Sequence, residues 1–504
     1  MKVTRRVISV VLCMAMVGMA LYTGFRYETQ KQNTPAIKKD SVILWYADEA
    51  MTDYLSAMAV SYQEETGVRV IPQLQSGSDY IESVYEASVR GDAIPDLYIV
   101  SNEALEKAYL SGCAKEITDP MGLVNTQNMP QTALDAVTYK NKLVGYPYYF
   151  ETSTLLYNKT YLYDMARKLV EAQDSMDELE ASQEEGTQEE TEVDEIAQSG
   201  ELEIKTQEKM QELIPQTFDE LLTFADEYDA PQAVEAVFKW DVNDIFYNYF
   251  FLGNYINVGG ACGDDSSDID IYNQQAINAM KVYQDLNQFF SIEAEDVSYA
   301  SVIQEFMEGK VVFTTATADV IKKLDAAKEN GEFAFEYGLV EIPDLNDEMQ
   351  TRSMSVTNTV VVNGFGDQIK ESNDFAAYLT CQNAGSLYER VGKISVWKEA
   401  ACADERTAVF YAEYEDSVSL PKLMITSNFW VELEIAFAEV WGGEKVTNAL
   451  YGLSNLIMSQ VTGEEYTQEY IEQIEEDTRE YIDEEAEREA ALAEDTTEET
   501  STSE

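Results

Sequence analysis

Short apolar segments and amphipathic helical segments alternate along residues 42–100. The apolar runs have the length of strands, and the segments between them carry apolar residues at helical spacing. Strands are predicted over residues 42–46, 68–73 and 97–100, and helices over residues 51–62 and 79–90. This β-α-β-α-β order predicts a parallel, doubly wound sheet of the α/β class. Such sheets bind ligands beyond the carboxyl ends of their strands, which here are residues 47–49 and 101–103.

A second apolar stretch ends in a single carboxylate. Residues 143–151 are almost uncharged and aromatic, and the run closes with Glu151. A strand this apolar is expected to be buried on both faces. Another apolar run follows at once and closes with Asn158 and Lys159. A carboxylate between two such runs could serve a cleft between two lobes.

The charge of the chain excludes several classes of function. The 504 residues carry 94 acidic and 34 basic side chains, a formal net charge of −60. Nucleic-acid binding needs a basic surface, so we expect no nucleic-acid partner. The chain has no histidine, which rules out catalytic triads and metal sites that depend on this residue. We expect no cofactor and no metal, and the length is enough for two or three domains.

Two segments look foreign to a folded core. Residues 171–203 contain 14 acidic residues and no basic ones, so they predict a solvated or partly helical insertion. Residues 483–504 are acidic and rich in Thr and Ser, which is typical of a disordered tail.

The amino terminus predicts export from the cytoplasm. Lys2, Arg5 and Arg6 precede an uncharged run over residues 7–25, and residues 30–40 read as a polar linker. Either a signal peptidase cuts after Ala20, or the run remains as a membrane anchor with its basic flank inside. We favour the anchor. Cys13 lies within the apolar run and not at its end, unlike the lipid-bearing cysteine of a lipoprotein.

Four further cysteines and a cluster of aspartates complete the candidate chemistry. Cys113, Cys262, Cys381 and Cys402 show no framework spacing, so we expect free thiols, with a Cys381–Cys402 bridge as the alternative. The aspartates of residues 260–270 lack the spacing of a calcium loop and read as a polar hairpin.

Several motifs resemble, in their order, those of the maltose-binding-like solute receptors of ABC importers. They are the first strand at residues 42–46, the Pro-Asp strand start at 95–98, the helix end at 110–117, the crossover at 145–147 with 155–159, the Phe-to-Gly step at 306–313, and the late Pro and aromatic pair at 420–421 with 428–430. The resemblance covers most of residues 42–460.

The resemblance implies two α/β lobes, each built on a doubly wound sheet, with a ligand cleft between them. Residues 41–150 and 357–400 are expected to form lobe 1. Residues 151–356 and 401–482 are expected to form lobe 2, which includes the insertion. Residues 1–40 would be the export segment and linker.

By the same resemblance, six residues are expected to bind the solute. They are Trp45, Glu49, Glu151, Trp240, Asp241 and Trp430. Aromatic rings stack on the apolar face of a sugar ring, and carboxylates accept hydrogen bonds from its hydroxyl groups. After Phe313 the chain runs from Thr314 to Asp319 without the tryptophan that the family's maltose-type members place there, so other sugars or a cationic solute stay open.

These observations predict an extracytoplasmic receptor for a small polar solute, with a carbohydrate as the expected ligand and ABC permease subunits as partners. A membrane-tethered sensor that presents the solute to a signalling partner would use the same cleft and is the alternative. A glycosidase-type enzyme would need a pair of carboxylates, but no nucleophile motif accompanies them. We therefore expect no enzymatic activity.

Overall fold

A computed structural model of the chain describes residues 41–75, 80–91, 93–184, 195–290, 292–294 and 297–472. The described strands are β1 (Ser41–Tyr46), β2 (Arg69–Leu74), β3 (Leu97–Ser101), β4 (Thr138–Tyr139), β5 (Lys142–Leu143), β6 (Tyr146–Glu151), β7 (Ser153–Asn158), β8 (Ala236–Phe238), β9 (Asn257–Val258), β10 (Ile269–Asp270), β11 (Val311–Thr317), β12 (Tyr337–Val340), β13 (Met354–Val362), β14 (Ile394–Ser395) and β15 (Val418–Ser419). The export segment at residues 1–40 and the tail at 483–504 lie outside these ranges.

The helices connect the strands and cover the faces of the sheets. They are α1 (Thr52–Thr66), α2 (Tyr80–Arg90), α3 (Leu105–Leu110), α4 (Gln131–Val137), α5 (Lys159–Glu184), α6 (Glu195–Glu212), α7 (Phe218–Glu227), α8 (Gln274–Phe290), α9 (Tyr299–Met307), α10 (Asp319–Glu329), α11 (Ile369–Ala377), α12 (Leu387–Val391), α13 (Lys398–Ala401), α14 (Glu405–Asp416), α15 (Phe429–Trp441) and α16 (Val446–Thr462).

The first sheet has seven strands in the order β14-β6-β13-β3-β1-β2, with β15 paired to β13. Strand β1 runs parallel to β2 and β3, as the alternation of strands and helices predicts. The sheet is mixed overall, because β13 runs antiparallel to both β3 and β6. We call the part of the fold around this sheet lobe 1.

A second sheet of four strands has the order β12-β7-β11-β8, and we call the part around it lobe 2. The chain leaves the first sheet after Glu151 and enters the second at Ser153. It returns after Val340 and begins β13 at Met354. The connection at residue 152 is anchored, because Thr152 Oγ1 donates a hydrogen bond to the carbonyl oxygen of Met354 at 2.9 Å.

The buried apolar residues form one core within lobe 2, one on the outer side of the first sheet, and one that reaches across both lobes. In the shared core, Phe150 of β6 stacks on Tyr414 of α14, with ring centroids 4.0 Å apart and planes 6° apart. Stacked aromatic pairs of this kind add to the stabilisation that burial provides. Packing against α14 therefore stabilises β6 close to the point where the chain passes between the lobes.

The described part of the acidic insertion is a helical hairpin. Helices α5 and α6 pack against each other, and Lys205 Nζ lies 2.9 Å from Asp174 Oδ1. The base of the hairpin is buried through Leu162, Ala166 and Met210, which lie outside residues 171–203. The apolar anchoring of the hairpin is thus separate from its acidic segment.

Candidate functional site

Two adjoining cavities lie between the lobes at the ends of the central strands. The larger, of about 690 Å³, is lined by lobe 1 through Glu151 and Lys393 and by lobe 2 through Asp244, Tyr247 and Asp319. The smaller, of about 410 Å³, lies on the lobe 1 side and shares three lining residues with the larger, namely Glu151, Val356 and Lys393. Both volumes fall in the range of small-molecule sites.

An ion-pair cluster forms the lobe 1 wall. Lys393 Nζ lies 2.8 Å from Glu151 Oε1 and 3.4 Å from Asp48 Oδ2, and 5.4 Å from the centre of the Tyr149 ring. Burial acts to lower the pKa of Lys393, but Glu151 and Asp48 outweigh it, and the net pKa lies above its usual value. The lysine is therefore held in its charged form at the base of the cleft.

Local structure places the first carboxylate of this cluster. Strand β1 ends at Tyr46, and Asp48 caps the short turn that follows by accepting a hydrogen bond from the Ala50 N–H at 3.0 Å. Its other oxygen faces Lys393. The end of the parallel strand thus carries a cleft residue, as the strand order predicts.

The lobe 2 wall is built from stacked tyrosines and a hydroxyl–carboxylate cluster. The rings of Tyr247 and Tyr299 stack at 4.9 Å with planes 11° apart. The Tyr299 hydroxyl donates to Asp319 Oδ1 at 3.0 Å and accepts a hydrogen bond from Thr317 Oγ1 at 3.0 Å. Tyr247 is 7% exposed and lines the larger cavity, so this wall presents part of a fixed aromatic pair beside polar groups.

A second acidic group on this wall is partly desolvated. Burial raises the pKa of Asp244, and the neighbouring Asp241 raises it further. Burial also raises the pKa of Glu434, and both Asp244 and Asp241 add to this shift. Glu434 lies on α15, one helical turn after Trp430, and this helix packs near residues 245–247.

Residues 57–397 match the model of a family described as bacterial extracellular solute-binding protein. The chain belongs to this family. Its members bind solutes outside the cytoplasm, which confirms the predicted class of protein and its extracytoplasmic location.

Individual relatives agree with this assignment. The chain is 21% identical over 414 residues to a maltooligosaccharide ABC transporter solute-binding lipoprotein of Streptococcus pneumoniae, covering 79% of this chain and 84% of the relative. The fold is similar to that of the extracellular solute-binding protein of Staphylococcus aureus in complex with maltose, with a TM-score of 0.65, 16% identity and coverage of 84% and 98%. A cyclo/maltodextrin-binding protein complexed with maltotetraose gives a TM-score of 0.64 at 18% identity, covering 86% and 99%. These likenesses confirm the predicted two-lobed fold.

Within this solute-binding fold, Glu151 and Glu49 lie where a ligand could reach them. Glu151 lines both cavities and is paired with Lys393. Glu49 is exposed in the turn Glu49–Met51, between Asp48 and the cavity residue Ala50. Their roles in binding stay predictions.

Trp45 and Trp240 are core residues, which corrects their assignment to the cleft. Trp45 is only 7% exposed on the outer side of the first sheet, and its Nε1 donates to Gln73 Oε1 at 3.0 Å. Trp240 is fully buried, and its Nε1 donates to Asn248 Oδ1 at 2.8 Å. Neither residue lines either of the two cavities.

Asp241 also has a structural position. It is 9% exposed, and its two carboxylate oxygens accept hydrogen bonds from the main-chain N–H groups of Asn243 and Tyr299, at 3.0 and 2.8 Å. It therefore fixes the loop that presents Asp244 and Tyr247. Trp430 is half-buried, with its ring against the edge of Tyr249 at 5.5 Å.

Sequence reasoning missed Lys393, Tyr247 and Asp319. Residues 314–319 did carry a signal, because the resemblance to the solute-binding family singled out this stretch as lacking an expected tryptophan. Tyr247 lies within an aromatic run, residues 245–255, in which no periodicity separates the cleft residue from the core residues.

The other candidate chemistry has structural explanations. The side chain of Asp264 accepts a hydrogen bond from the Lys140 main-chain N–H at 2.5 Å, and Asp265 caps Ser267 at 2.9 Å. Among the described residues, no group of three or more acidic or thiol side chains is placed to hold a metal ion. The thiols of Cys113, Cys262, Cys381 and Cys402 are all free.

No helix within the described ranges is long and apolar enough to cross a bilayer.

Proposed function

We propose that this solute-binding protein takes up a neutral carbohydrate between its lobes and delivers it to the permease of an ABC importer. The observation that carries the proposal is the pairing of two unlike walls around one cavity of about 690 Å³. One wall offers the Tyr247 ring and the other offers the Glu151–Lys393 pair. A sugar has one apolar face and many hydroxyl groups, so it can use both kinds of wall at once.

The named ligands of similar proteins support the same class of solute. The relative from Streptococcus pneumoniae is named for maltooligosaccharides, and the similar structures hold maltose and maltotetraose. Since this chain has Asp319 and Thr317 at the end of β11, we expect stacking to rely on Tyr247 and Trp430. Its preferred sugar can therefore differ from that of its relatives.

Closure of the lobes on the solute would provide the signal for delivery. A ligand shifts a conformational equilibrium only by its difference in affinity for the two states. A solute that contacts Glu151 in lobe 1 and Tyr247 in lobe 2 binds the closed state better than the open one. We expect binding without catalysis, because Glu151 is held in an ion pair and is not poised to attack or protonate a glycosidic bond.

A ligand screen by thermal shift tests this function. Binding to the folded state raises the melting temperature by mass action. We expect one or more oligosaccharides of a panel from maltose to maltoheptaose, or another neutral sugar, to raise it, and calorimetry to give one site per chain. A panel in which only charged solutes bind would contradict the carbohydrate assignment. Uptake of the labelled solute should fail in cells that lack the protein.

We also propose that the apolar segment at residues 7–25 keeps the protein on the outer face of the cytoplasmic membrane. The segment lies outside the described residues. The proposal rests on the uncharged run that follows Lys2, Arg5 and Arg6. Cell fractionation and amino-terminal sequencing test it. A soluble mature chain that begins at Leu21 would contradict the anchor and leave the receptor function untouched.

A further inference from the structure

The position of Lys393 follows from a glycine and a strand register. Helix α12 ends at Gly392, which has a left-handed φ of 82° that few other residues adopt. The chain then enters β14, where Ile394 pairs with Phe150 and Ser395 with Tyr149. Continuing this antiparallel register places Lys393 opposite Glu151, and directly opposed residues share one face of a sheet. The lysine is thus aimed at the cleft by the fold.

The contacts of Lys393 account for most of its hydrogen-bonding capacity. An ammonium group has three donors. Glu151 and Asp48 lie within 4 Å of Nζ, and the Tyr149 ring offers its face. The lysine side chain is 25% exposed, while those of Glu151 and Asp48 are 44% and 34% exposed. The ammonium is therefore the most enclosed member of the cluster, with the two carboxylates toward the solvent.

The charges that line the two cavities are unequal in number. Four lining residues are acidic, namely Asp48, Glu151, Asp244 and Asp319, and two are basic, namely Lys322 and Lys393. Lys322 Nζ donates to the carbonyl oxygen of Glu389 at 2.9 Å and lies over the Tyr388 ring, on the rim. Among the described lining residues, only Lys393 forms an ion pair with the carboxylates of the cavities.

We propose that Lys393 limits the preference of the cleft for cations, because its single positive charge offsets one of the two negative charges of Glu151 and Asp48. This inference rests on the proposed function only for the identity of the neutral solute, a sugar. The charge preference itself does not depend on it. Without the lysine, two carboxylates would face the cavity with no counter-ion. Such a pair attracts a cation in the partly desolvated environment of a cleft. Lys393 thus lowers the affinity of the cleft for a cation relative to a neutral solute of the same shape.

The experiment compares two probes of almost equal shape and different charge. Choline is a cation, and 3,3-dimethyl-1-butanol is its neutral isostere. Affinities of both are measured by calorimetry or ligand-observed NMR for the wild-type protein and for Lys393→Met, Lys393→Arg and Glu151→Gln. Maltotriose is titrated into the same proteins. Thermal unfolding shows that each variant is folded.

We expect the wild type and Lys393→Arg to show the same ratio of choline to isostere affinity. Lys393→Met should raise the ratio of choline to isostere affinity by at least about tenfold, because Glu151 and Asp48 would then face the cation without a counter-ion. The double variant Lys393→Met/Glu151→Gln should lose most of this preference. Glu151→Gln alone should lower the ratio of choline to isostere affinity. If Lys393→Met does not fold, this variant provides the test.

This design distinguishes a failure of the role proposed for Lys393 from a failure of the proposed function. An unchanged ratio of choline to isostere affinity in Lys393→Met, or in Glu151→Gln should that arm decide, overturns the role of Lys393. A wild-type protein that binds neither maltotriose nor other neutral sugars overturns the proposed function, while the ratio of the two probes still tests the charge preference.

Discussion

The ammonium group of Lys422 donates a hydrogen bond to the main-chain carbonyl oxygen of Asp135 at 2.9 Å, although Lys422 is only 1% exposed. It also donates to the carbonyl oxygen of Cys262. Asp135 belongs to α4 of lobe 1, and Cys262 to the loop before β10 of lobe 2. One buried cation thus joins the two lobes through residues that line neither of the two cavities.

The first prediction concerns the pH dependence of stability that Lys422 causes. Burial lowers the pKa of Lys422 from 10.5 to about 8. Between these values the unfolded chain binds more protons than the folded one, so this group raises the free energy of unfolding as the pH rises from about 8 to about 10.5. The gain amounts to about 3 kcal/mol at most. Lys422→Met should lack it.

Urea unfolding of the wild type and of Lys422→Met at pH 7.5, 9 and 10 measures this effect. The difference between the two proteins isolates Lys422 from the other groups that titrate in this range. A difference that does not depend on pH would contradict the prediction. Lys323→Met, a change at an exposed lysine, is the control and should follow the wild type.

The sequence was sufficient for the parts of the fold that depend on local pattern. Strands β1 and β3 are apolar on both faces, and their order with α1 and α2 predicts the parallel part of the sheet. Glu151 is recognisable because an uncharged strand ends there. These features are encoded within a few residues of each other, so periodicity alone reveals them.

The composition of the cleft depends on contacts that local pattern does not encode. Lys393 faces Glu151 only through a register between strands 242 residues apart in sequence. Trp45 and Tyr46 are adjacent and both apolar, so the pattern did not decide which one faces the outer core. For Trp240, too, the sequence pattern did not show whether the side chain packs into the core or faces the cleft.

The second prediction concerns the buried carboxyl of Glu413 on α14. Burial raises its pKa from 4.5 to about 7, and Glu341 and Asp416 raise it further. The stability that this group contributes is fully present below pH 4.5 and is lost as the pH rises through about 7. The loss amounts to about 3 kcal/mol. Glu413→Gln stays neutral and can still accept the hydrogen bond from the Ile342 N–H at 2.9 Å.

We therefore expect Glu413→Gln to match the wild type near pH 4.5 and to exceed its free energy of unfolding by up to about 3 kcal/mol at pH 8. Urea unfolding at both pH values tests this. The exposed Glu415 lies on the same helix, so Glu415→Gln is the matched control and should show no such gain. Equal effects of Glu413→Gln at both pH values would refute the prediction.

The third prediction concerns the acidic insertion. Deleting residues 171–203 and joining the ends with a short Gly-Ser linker should preserve folding and solute affinity. The deletion removes exposed ion pairs such as Lys205 with Asp174, which contribute little, and it keeps the buried Val170, Thr206 and Met210. Loop length changes the entropy of closure only slowly.

Thermal unfolding and calorimetry of the deletion variant measure both properties. The contrasting control is Met210→Asp in the full chain, which places a charge at a fully buried position and should destabilise the protein strongly. A deletion variant that unfolds without cooperativity would show that the acidic segment is part of the core.

The last prediction separates two tryptophans, one half-buried at the surface of lobe 2 and one in its core. Trp430 is half-buried against Tyr249 on the face of α15 that also carries Glu434. If its ring contributes to stacking on the solute, Trp430→Ala should weaken binding by about 1–3 kcal/mol, which is roughly 5- to 150-fold. Trp240 is fully buried against Phe238, so Trp240→Phe should lower the melting temperature and leave the affinity of the folded protein unchanged.

Calorimetric titration with the sugar found in the thermal-shift screen, combined with the melting temperature of each variant, tests this contrast. Circular dichroism at the titration temperature ensures that only folded protein is compared. An unchanged affinity of Trp430→Ala together with a lowered melting temperature would assign Trp430 to the core of lobe 2. The aromatic contact with the solute would then fall to Tyr247, which lines the larger cavity and is held by its stacking on Tyr299 at 4.9 Å.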